Sequence, residues 1–453
     1  MSFSLVVLAA GEGKRMKSDK SKVVFTVCGK EMVNHVIDAA KKAGVDKACV
    51  VVGHKAEMVI SAVGDKAEYV TQAEQKGTGH AVMQAKDFIK NSTNVMILAG
   101  DTPLITADAL KNAVKLHEES GNSCTVLTAV VDNPFGYGRI IRDENGNVDR
   151  IVEQKDASDE EKQICEINSG MYCFESKALL DSLDKLTNNN AQGEYYLTDT
   201  LSLMKKNNLK VGAFVVDDAC EISGVNDRVQ LAEAERIMRK RINKKLMLEG
   251  VTIIDPESTY IDDDVVIGKD SVVYPGTTIE KGSIIGNCVT IGQSCRIVNS
   301  KIGDGCDVYF STIVDSSVDE GSHVGPYAYL RPNSTVGKGC KVGDFVELKN
   351  ASLGDGTKAS HLTYIGDATV GKNVNFGCGT VIVNYDGKNK FRTNIGDNAF
   401  IGCNSNLVSP VTVKDNAYVA AGSTITDEVP EGALAIARSR QVVKPDWKDK
   451  RLK

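Results

Sequence analysis

No excess of positive charge marks this chain: 54 Lys and Arg stand against 60 Asp and Glu, for a formal charge of −6 and a pI near 5.7. A general nucleic-acid binder needs a positive surface to displace counterions, so that class is excluded and only a local basic patch remains for anions. Long apolar runs are also missing. Nothing reaches the roughly 18 residues of a membrane span, and the opening "MSFSLVVLAAGEGK" has neither a basic leader nor a long enough apolar stretch for a secretory signal. The expectation is a cytoplasmic protein without a membrane partner. Twelve cysteines are present, yet no two form C-x-x-C and several lie in apolar runs, which reads as reduced, mostly buried thiols. The 453 residues leave room for two or three domains, and 42% hydrophobic with 25% charged content is ordinary for folded chains.

Two hydrophobic periods divide what is there. Up to about residue 225, "FSLVVLAA", "KACVVVG", "NVMILAGD" and "SCTVLTAVV" read as buried strands, while "EMVNHVIDAAKKAG", "GHAVMQAKDFI" and "ADALKNAVKLHEESG" carry helical spacing. This alternation predicts an α/β unit over residues 1–226 with a Rossmann-like, mainly parallel sheet, whose ligands lie at the carboxyl ends of its strands. Residues 227–250 are charged, proline-free and rich in helix formers, stopped by Gly250, which predicts a linker helix.

In residues 251–453 the period becomes six. Ile261, Ile267, Val273, Ile279, Ile285, Ile291 and Ile297 follow one another at that spacing. It returns at Val318, Val324, Leu330, Val336, Val342 and Leu348, and again at Ile395, Ile401, Leu407, Val413, Val419 and Ile425. A unit of six residues cannot bury its aliphatic side chain alone, so the repeat predicts a β-solenoid in which stacking makes the core. The repeats resemble the hexapeptide family, which implies a left-handed parallel β-helix. Between Ile382 and Ile395 "VNYDGKNKFRTN" interrupts the period and predicts an outside loop, often part of a binding face.

The loop "LAAGEGKRM" follows the first strand but fits neither familiar phosphate motif: Met16 stands where G-x-G-x-x-G needs its third glycine, and no G-K-[ST] follows. Gly11 and Gly13 let the backbone approach a ligand, Arg15 and Lys22 bring cations, and Asp101 places a hard oxygen at a strand end. A lone glycine turn is weak evidence, and an aspartate at a strand end often caps the next segment. The ordered set decides. "LAAGEGKRM", Lys22, "QAEQKGTGHA", "LAGDTPL", "GYGRI", "VEQKDA", "EINSG" and "GVNDR" resemble the sugar-1-phosphate nucleotidyltransferases that make UDP-N-acetylglucosamine. The resemblance implies that Leu8, Ala9, Ala10, Gly11, Gln72, Gly77, Thr78, Ala99 and Gly100 surround a uridine nucleotide. Arg15 and Lys22 would neutralise the triphosphate of UTP, Asp101 and Asn226 would hold Mg²⁺, and Gly138, Glu153 and Asn168 would contact the sugar. Ser21 departs from the pattern, where a proline is expected.

In the solenoid, His361 lies in "KASHLTYIGD", between "VELKNASLG" and "NFGCGTVIVNYDG". A histidine in a repeat is usually a solvated surface residue, but Arg331, Lys349, Tyr364, Asn375, Asn384, Tyr385 and Lys390 add cations and hydrogen bonders suited to a phosphorylated ligand. With both motif sets in order, essentially the whole chain resembles the bifunctional N-acetylglucosamine-1-phosphate uridylyltransferase and glucosamine-1-phosphate acetyltransferase family. This implies His361 as general base. Arg331, Lys349, Tyr364, Asn375 and Lys390 would bind glucosamine-1-phosphate; Cys378, Asn384, Tyr385, Cys403, Ala421 and Arg438 would surround acetyl-CoA. The chain departs at Cys378 and Cys403, where alanine and serine are expected. Substrates are then glucosamine-1-phosphate, N-acetylglucosamine-1-phosphate, acetyl-CoA and UTP, in a homotrimer whose basic tails complete neighbouring sites. The tail, residues 438–453, carries seven cations and two acids, and Trp447 is placed to anchor it on an apolar surface. A nucleotidyltransferase whose solenoid only regulates or assembles it, and a binding solenoid without catalysis, are the competing readings.

Overall fold

The computed structural model describes residues 3–190 and 192–451. The chain divides into two compact units that meet in sequence between Met238 and Arg239.

The first unit is built on one sheet. From edge to edge its main path runs Val211–Val215, Cys124–Val130, Glu166–Glu175, Asn94–Ala99, Phe3–Ala9, Lys47–Val52 and Glu68–Thr71. All neighbours are parallel except Glu166–Glu175, which opposes both strands beside it. Leu5, Val6 and Val7 are all fully buried, because a mainly parallel sheet is covered on both faces. Val7 and Ala9 pack with helices Met32–Lys42 and Ala107–Ser120; Val6 points into the opposite core with Leu179, Leu197 and Leu201. The single helix expected over "GHAVMQAKDFI" is two, Thr78–Gln84 and Lys86–Ile89. At fully buried Ala85 the turn tightens, its N–H donating to Val82 O at 3.0 Å. The charged segment forms a helix over Arg228–Leu248, followed by Gly250 at φ +103°.

The second unit is a parallel β-helix of short strands. Its strands stack in columns, each residue pairing with one about a coil further on: Val272 with Thr290, Ile284 with Lys301, Arg296 with Thr312. Every aliphatic residue of the three six-spaced runs is buried. Between Ile297 and Val318 the ladder continues through Ile302, Val308 and Ile313, a mixed stride of five and six residues that a strict six-residue search passes over. Small polar residues at the coil corners bond to the next coil: Ser271 Oγ donates to Gly286 O and Thr277 Oγ1 to Gly292 O, both at 2.8 Å. Glycine at 286 is required by that stacking, since a Cβ there would lie 2.8 Å from the Asp304 amide nitrogen. The interruption forms an outside loop, closed by a bridge between Tyr385 and Lys390.

Two stability outcomes follow from these environments. Ile291→Ala in the ladder should cost about 2–5 kcal/mol in urea unfolding, whereas Ile284→Ala, at a side chain that faces outward, should stay within about 0.5 kcal/mol. His117 is buried, its Nδ1 3.0 Å from Thr125 Oγ1, and burial lowers its pKa from 6.5 to about 4. The unfolded chain therefore binds this proton first as pH falls below 6.5. Native protein should lose up to about 3 kcal/mol more than His117→Gln between neutral pH and pH about 4, read as the difference between their unfolding curves.

Candidate functional site

Strands Phe3–Ala9 and Asn94–Ala99 end side by side, with Leu8 paired to Ala99 and the Gly100 N–H donating to Leu8 O at 3.0 Å. The turns after them, Ala10–Gly11 and Gly100–Asp101, thus leave the sheet at one edge, as the carboxyl-end rule requires. They border a cleft of about 350 Å³ that Lys22, Gln72, Gly77 and Thr78 also line. Gln72 hangs from the end of a third strand, its N–H on Val52 O at 2.7 Å and its Nε2 donating to Gly77 O at 3.2 Å. Thr78 Oγ1 accepts the Leu197 N–H at 3.1 Å, which brings in a distant segment. Val23, Gln75, Ala81, Gly170 and Glu194 complete the lining. The sequence reading did not single these out; Gln75 lies inside a quoted motif, while Glu194 has no pattern to mark it.

Lys22 reaches the cleft beneath the glycine loop. Gly13 has φ +64°, and a Cβ on it would stand 2.8 Å from Lys22 Cβ, so this position needs glycine twice over. Lys22 Nζ donates to the Asp101 carboxylate and, at 3.0 Å, to Asn226 Oδ1. Asn226 is held by the chain itself: Val225 N–H donates to Asp101 O at 2.9 Å, and Asn226 N–H to Gln230 Oε1 at 2.8 Å. Two hard oxygens, one charged, therefore face a cation from strand end and helix entry. Arg15 sits exposed on the short helical turn Lys14–Met16.

The sugar-contact candidates also converge. A Cβ on Gly138 would lie 3.4 Å from Glu153 Oε1 and 3.5 Å from Asn168 Cβ, and Asn168 N–H donates to Gly138 O at 2.9 Å. Asn168 Oδ1 receives the Gly170 N–H at 3.0 Å and the Tyr172 hydroxyl at 3.1 Å, which fixes the amide's orientation. Burial raises the Glu153 carboxyl above its usual range, with Asp156 and Asp199 adding repulsion. Beneath them the buried Arg139 guanidinium clamps Tyr137 O and Gln154 Oε1, the latter at 2.8 Å. Neither Asp199 nor Arg139 was selected from sequence.

In the β-helix the candidates fall into two groups. Flanking register pairs place Asp344, His361, Cys378, Cys403 and Ala421 at equivalent positions of successive coils. His361 Nδ1 lies 3.3 Å from Asp344 Oδ2, and Arg438 Nη1 donates to Ala421 O at 2.8 Å, extending the column. Asn375 pairs with Lys358, three residues before His361. At the other end of the same strand pair, Arg331 donates to Glu347 Oε1 and Lys349 to Asp367 Oδ2, both at 2.8 Å.

Asp367 also receives Asn384 Nδ2 and, at 2.7 Å, Asn350 Nδ2. Burial pushes the Asp367 carboxyl up, but these hydrogen bonds outweigh it and hold the group below its usual range. Lys390 comes close enough to Lys349 for its ammonium to be lowered by that neighbour. Tyr364 pairs with Glu347 in register, and Tyr385 lies in the outside loop.

Two of the expected cations, Arg331 and Lys349, are thus ion-paired, and Asp344, Glu347 and Asp367 are the members sequence reasoning missed. The tail differs too. Trp447 is 57% exposed, with Lys444 Nζ 5.4 Å from its ring centroid. Cys378 and Cys403 are free thiols, and both are exposed.

Ser21 sits directly before Lys22, fully buried, and its hydroxyl has no hydrogen-bond partner among the described residues. Its φ of −58° is one proline adopts without strain. Ser21→Pro should therefore raise stability by about 0.4–1 kcal/mol in chemical unfolding. A loss of stability would show that the backbone there needs its N–H.

Comparison with known proteins agrees with this division. Residues 4–224 match the nucleotidyl transferase family, and residues 258–293 and 392–427 match the bacterial transferase hexapeptide family, the left-handed parallel β-helix. The Bifunctional protein GlmU of Clostridioides difficile strain 630 is 56% identical over 451 residues, covering 100% of this chain and 98% of its own. That of Acetivibrio thermocellus is 58% identical over 443 residues, covering 98% and 96%. With two transferase folds in one chain, each carrying its own cluster of candidate residues, and relatives matching from end to end, this chain belongs to the bifunctional GlmU family.

Proposed function

We propose that the chain acetylates glucosamine-1-phosphate from acetyl-CoA and then transfers a uridylyl group from UTP to N-acetylglucosamine-1-phosphate, releasing pyrophosphate. Uridylyl transfer is assigned to residues 1–226 and acetyl transfer to residues 251–453, with the helix at 227–250 between. The observation that carries the reading is the separation of two chemically different clusters. One presents hard oxygens to a cation beside a glycine loop, and the other stacks a histidine over a carboxylate along one column.

In the first cluster the Leu8–Gly11 backbone, Gln72, Gly77 and Thr78 hold the uridine nucleotide, and Arg15 and Lys22 neutralise its phosphates. Asp101 and Asn226 would hold the divalent metal that this family requires, Mg²⁺ in this reading. Their donor set fits, since both offer hard oxygens and already draw a lysine ammonium between them. When bound, the ion supplies charge to the developing pyrophosphate. Gly138, Glu153 and Asn168 orient the sugar so that its phosphate oxygen attacks the α-phosphorus. Catalysis there is positioning and charge neutralisation, without a protein nucleophile.

In the second cluster, Asp344 occupies His361 Nδ1, which leaves Nε2 to take a proton from the substrate ammonium. The freed amine attacks the thioester carbonyl, and the coenzyme thiol leaves. Arg331, Lys349, Tyr364, Asn375 and Lys390 bind the sugar phosphate, with Lys349 kept in place by Asp367. Asn384 and Tyr385 shape the site, and Cys378, Cys403, Ala421 and Arg438 flank acetyl-CoA; a Cys403 thiol is a weaker donor to an oxyanion than the expected serine. A homotrimer completes the sites, the exposed basic tail reaching a neighbouring copy. A cytoplasmic location suits these substrates. Among the described residues no helix is long and apolar enough to cross a membrane.

Paired substitutions test the assignment. Asp101→Ala should abolish pyrophosphate release while acetyl transfer persists. His361→Ala should lower acetyl transfer by about 10²–10⁴ at neutral pH, recovering as alkali frees the amine, while uridylyl transfer persists. Loss of both activities from either folded variant would contradict two independent sites.

A further inference from the structure

Two of the four exposed cysteines are neighbours. Register pairs on both sides, Phe376 with Ile401 and Val381 with Asn406, put Cys378 opposite Cys403 on the adjacent coil. Backbone hydrogen bonds bracket the pair: Gly377 N–H donates to Ile401 O at 2.7 Å and Asn404 N–H to Cys378 O at 2.8 Å. Each cysteine is followed by a residue in the left-handed region, Gly379 at φ +77° and Asn404 at φ +54°. The two turns therefore share one backbone shape, and both side chains are exposed. Neighbouring parallel strands lie about 4.7–4.9 Å apart, inside the Cα separation of about 4.4–6.8 Å that a disulfide accepts. The expected alanine and serine at these positions would carry no such chemistry.

We propose that Cys378 and Cys403 form a reversible dithiol–disulfide pair that reacts with small-molecule disulfides and, when oxidised, closes the acetyl-transfer site. One thiolate attacks a sulfur of the small disulfide, forming a mixed disulfide and releasing one thiolate. The second cysteine thiolate attacks the protein sulfur of that mixed bond and releases the other. Two protons leave the protein thiols, and two electrons pass to the small disulfide, which becomes two thiols. His361 is the register neighbour of Cys378 on the coil before, so the new bond lies beside the proposed base. The bond itself needs only the coil geometry; its effect on acetyl transfer rests on the function proposed above.

The test uses the reduced full-length chain, incubated with oxidised glutathione, alkylated and digested with trypsin. Residues 373–388 and 393–414 are separate tryptic peptides, each holding one of the two cysteines. The expected result is a disulfide joining these peptides, with exposed Cys165 and Cys288 as comparators that take glutathione adducts. Acetyl transfer is lost as the bond forms and returns with dithiothreitol, while uridylyl transfer is unchanged. In the double variant Cys378→Ala with Cys403→Ser, whatever its starting rate, oxidised glutathione causes no further loss. Glutathione adducts on both cysteines without the cross-link would overturn the pair, and a cross-link with undiminished acetyl transfer would overturn the switch. A reduced protein that never transfers acetyl groups would overturn the proposed function instead, with the cross-link still readable.

Discussion

No coil of the second unit can bury its aliphatic side chain alone, and everything else in that unit depends on this constraint. Stacking brings Ile279 under Ile297 and Ile297 under Ile313, and in doing so converts distance along the chain into contact. Residues about one coil apart become side-chain neighbours at the surface. His361 meets Asp344, Lys349 meets Asp367, and Arg331 meets Glu347 by the same rule that packs the core. A polar site on a β-helix therefore follows from its apolar ladder. Shifting the ladder by one residue would turn the buried row outward and scatter the site with it.

The first unit solves the opposite problem, gathering charge where a sheet ends. Its two central strands, Phe3–Ala9 and Asn94–Ala99, are apolar through most of their length, so the groups that meet a cation come from the turns after them and from helix entries. Lys22 lies between Asp101 and Asn226, with each of the three carried by a different segment. The arrangement keeps a carboxylate neutralised within a partly buried cleft, and the two oxygens that do so are of the hard kind a divalent ion prefers. Gly13 makes this geometry reachable, because the loop passes too close to Lys22 for any side chain.

How far the sequence could be read depended on whether a feature is periodic. The three six-spaced runs were legible because burial imposes a repeat on them, the strands around Val6, Ile97 and Val126 because burial on both faces makes them continuous apolar runs, and the long charged helix by its composition. Members of quoted motifs, such as Gln72, Asp101, Asn168 and His361, were legible through resemblance; the structure puts Gln72 and Asp101 on one cleft, Asn168 beside Gly138 and Glu153, and His361 in the β-helix column. What escaped was long-range and aperiodic: Glu194 in the cleft lining, Asp199 near Glu153, and the clamp made by Arg139. Asp344, Glu347 and Asp367 form a different case. Each stands 16 to 18 residues from its partner, one coil length, so the β-helix period itself carried their signal. The split at fully buried Ala85 arises from packing that no local pattern encodes.

One chain performing two consecutive transfers is the central claim, and product stoichiometry tests it most directly. The reduced, purified chain would be given glucosamine-1-phosphate, acetyl-CoA, UTP and Mg²⁺, with free coenzyme thiol, pyrophosphate and sugar nucleotide measured together. Equal amounts of all three products are predicted, with the sugar nucleotide carrying the acetyl group. Pyrophosphate and sugar nucleotide formed without release of coenzyme thiol would contradict it, leaving a nucleotidyltransferase whose β-helix serves another purpose.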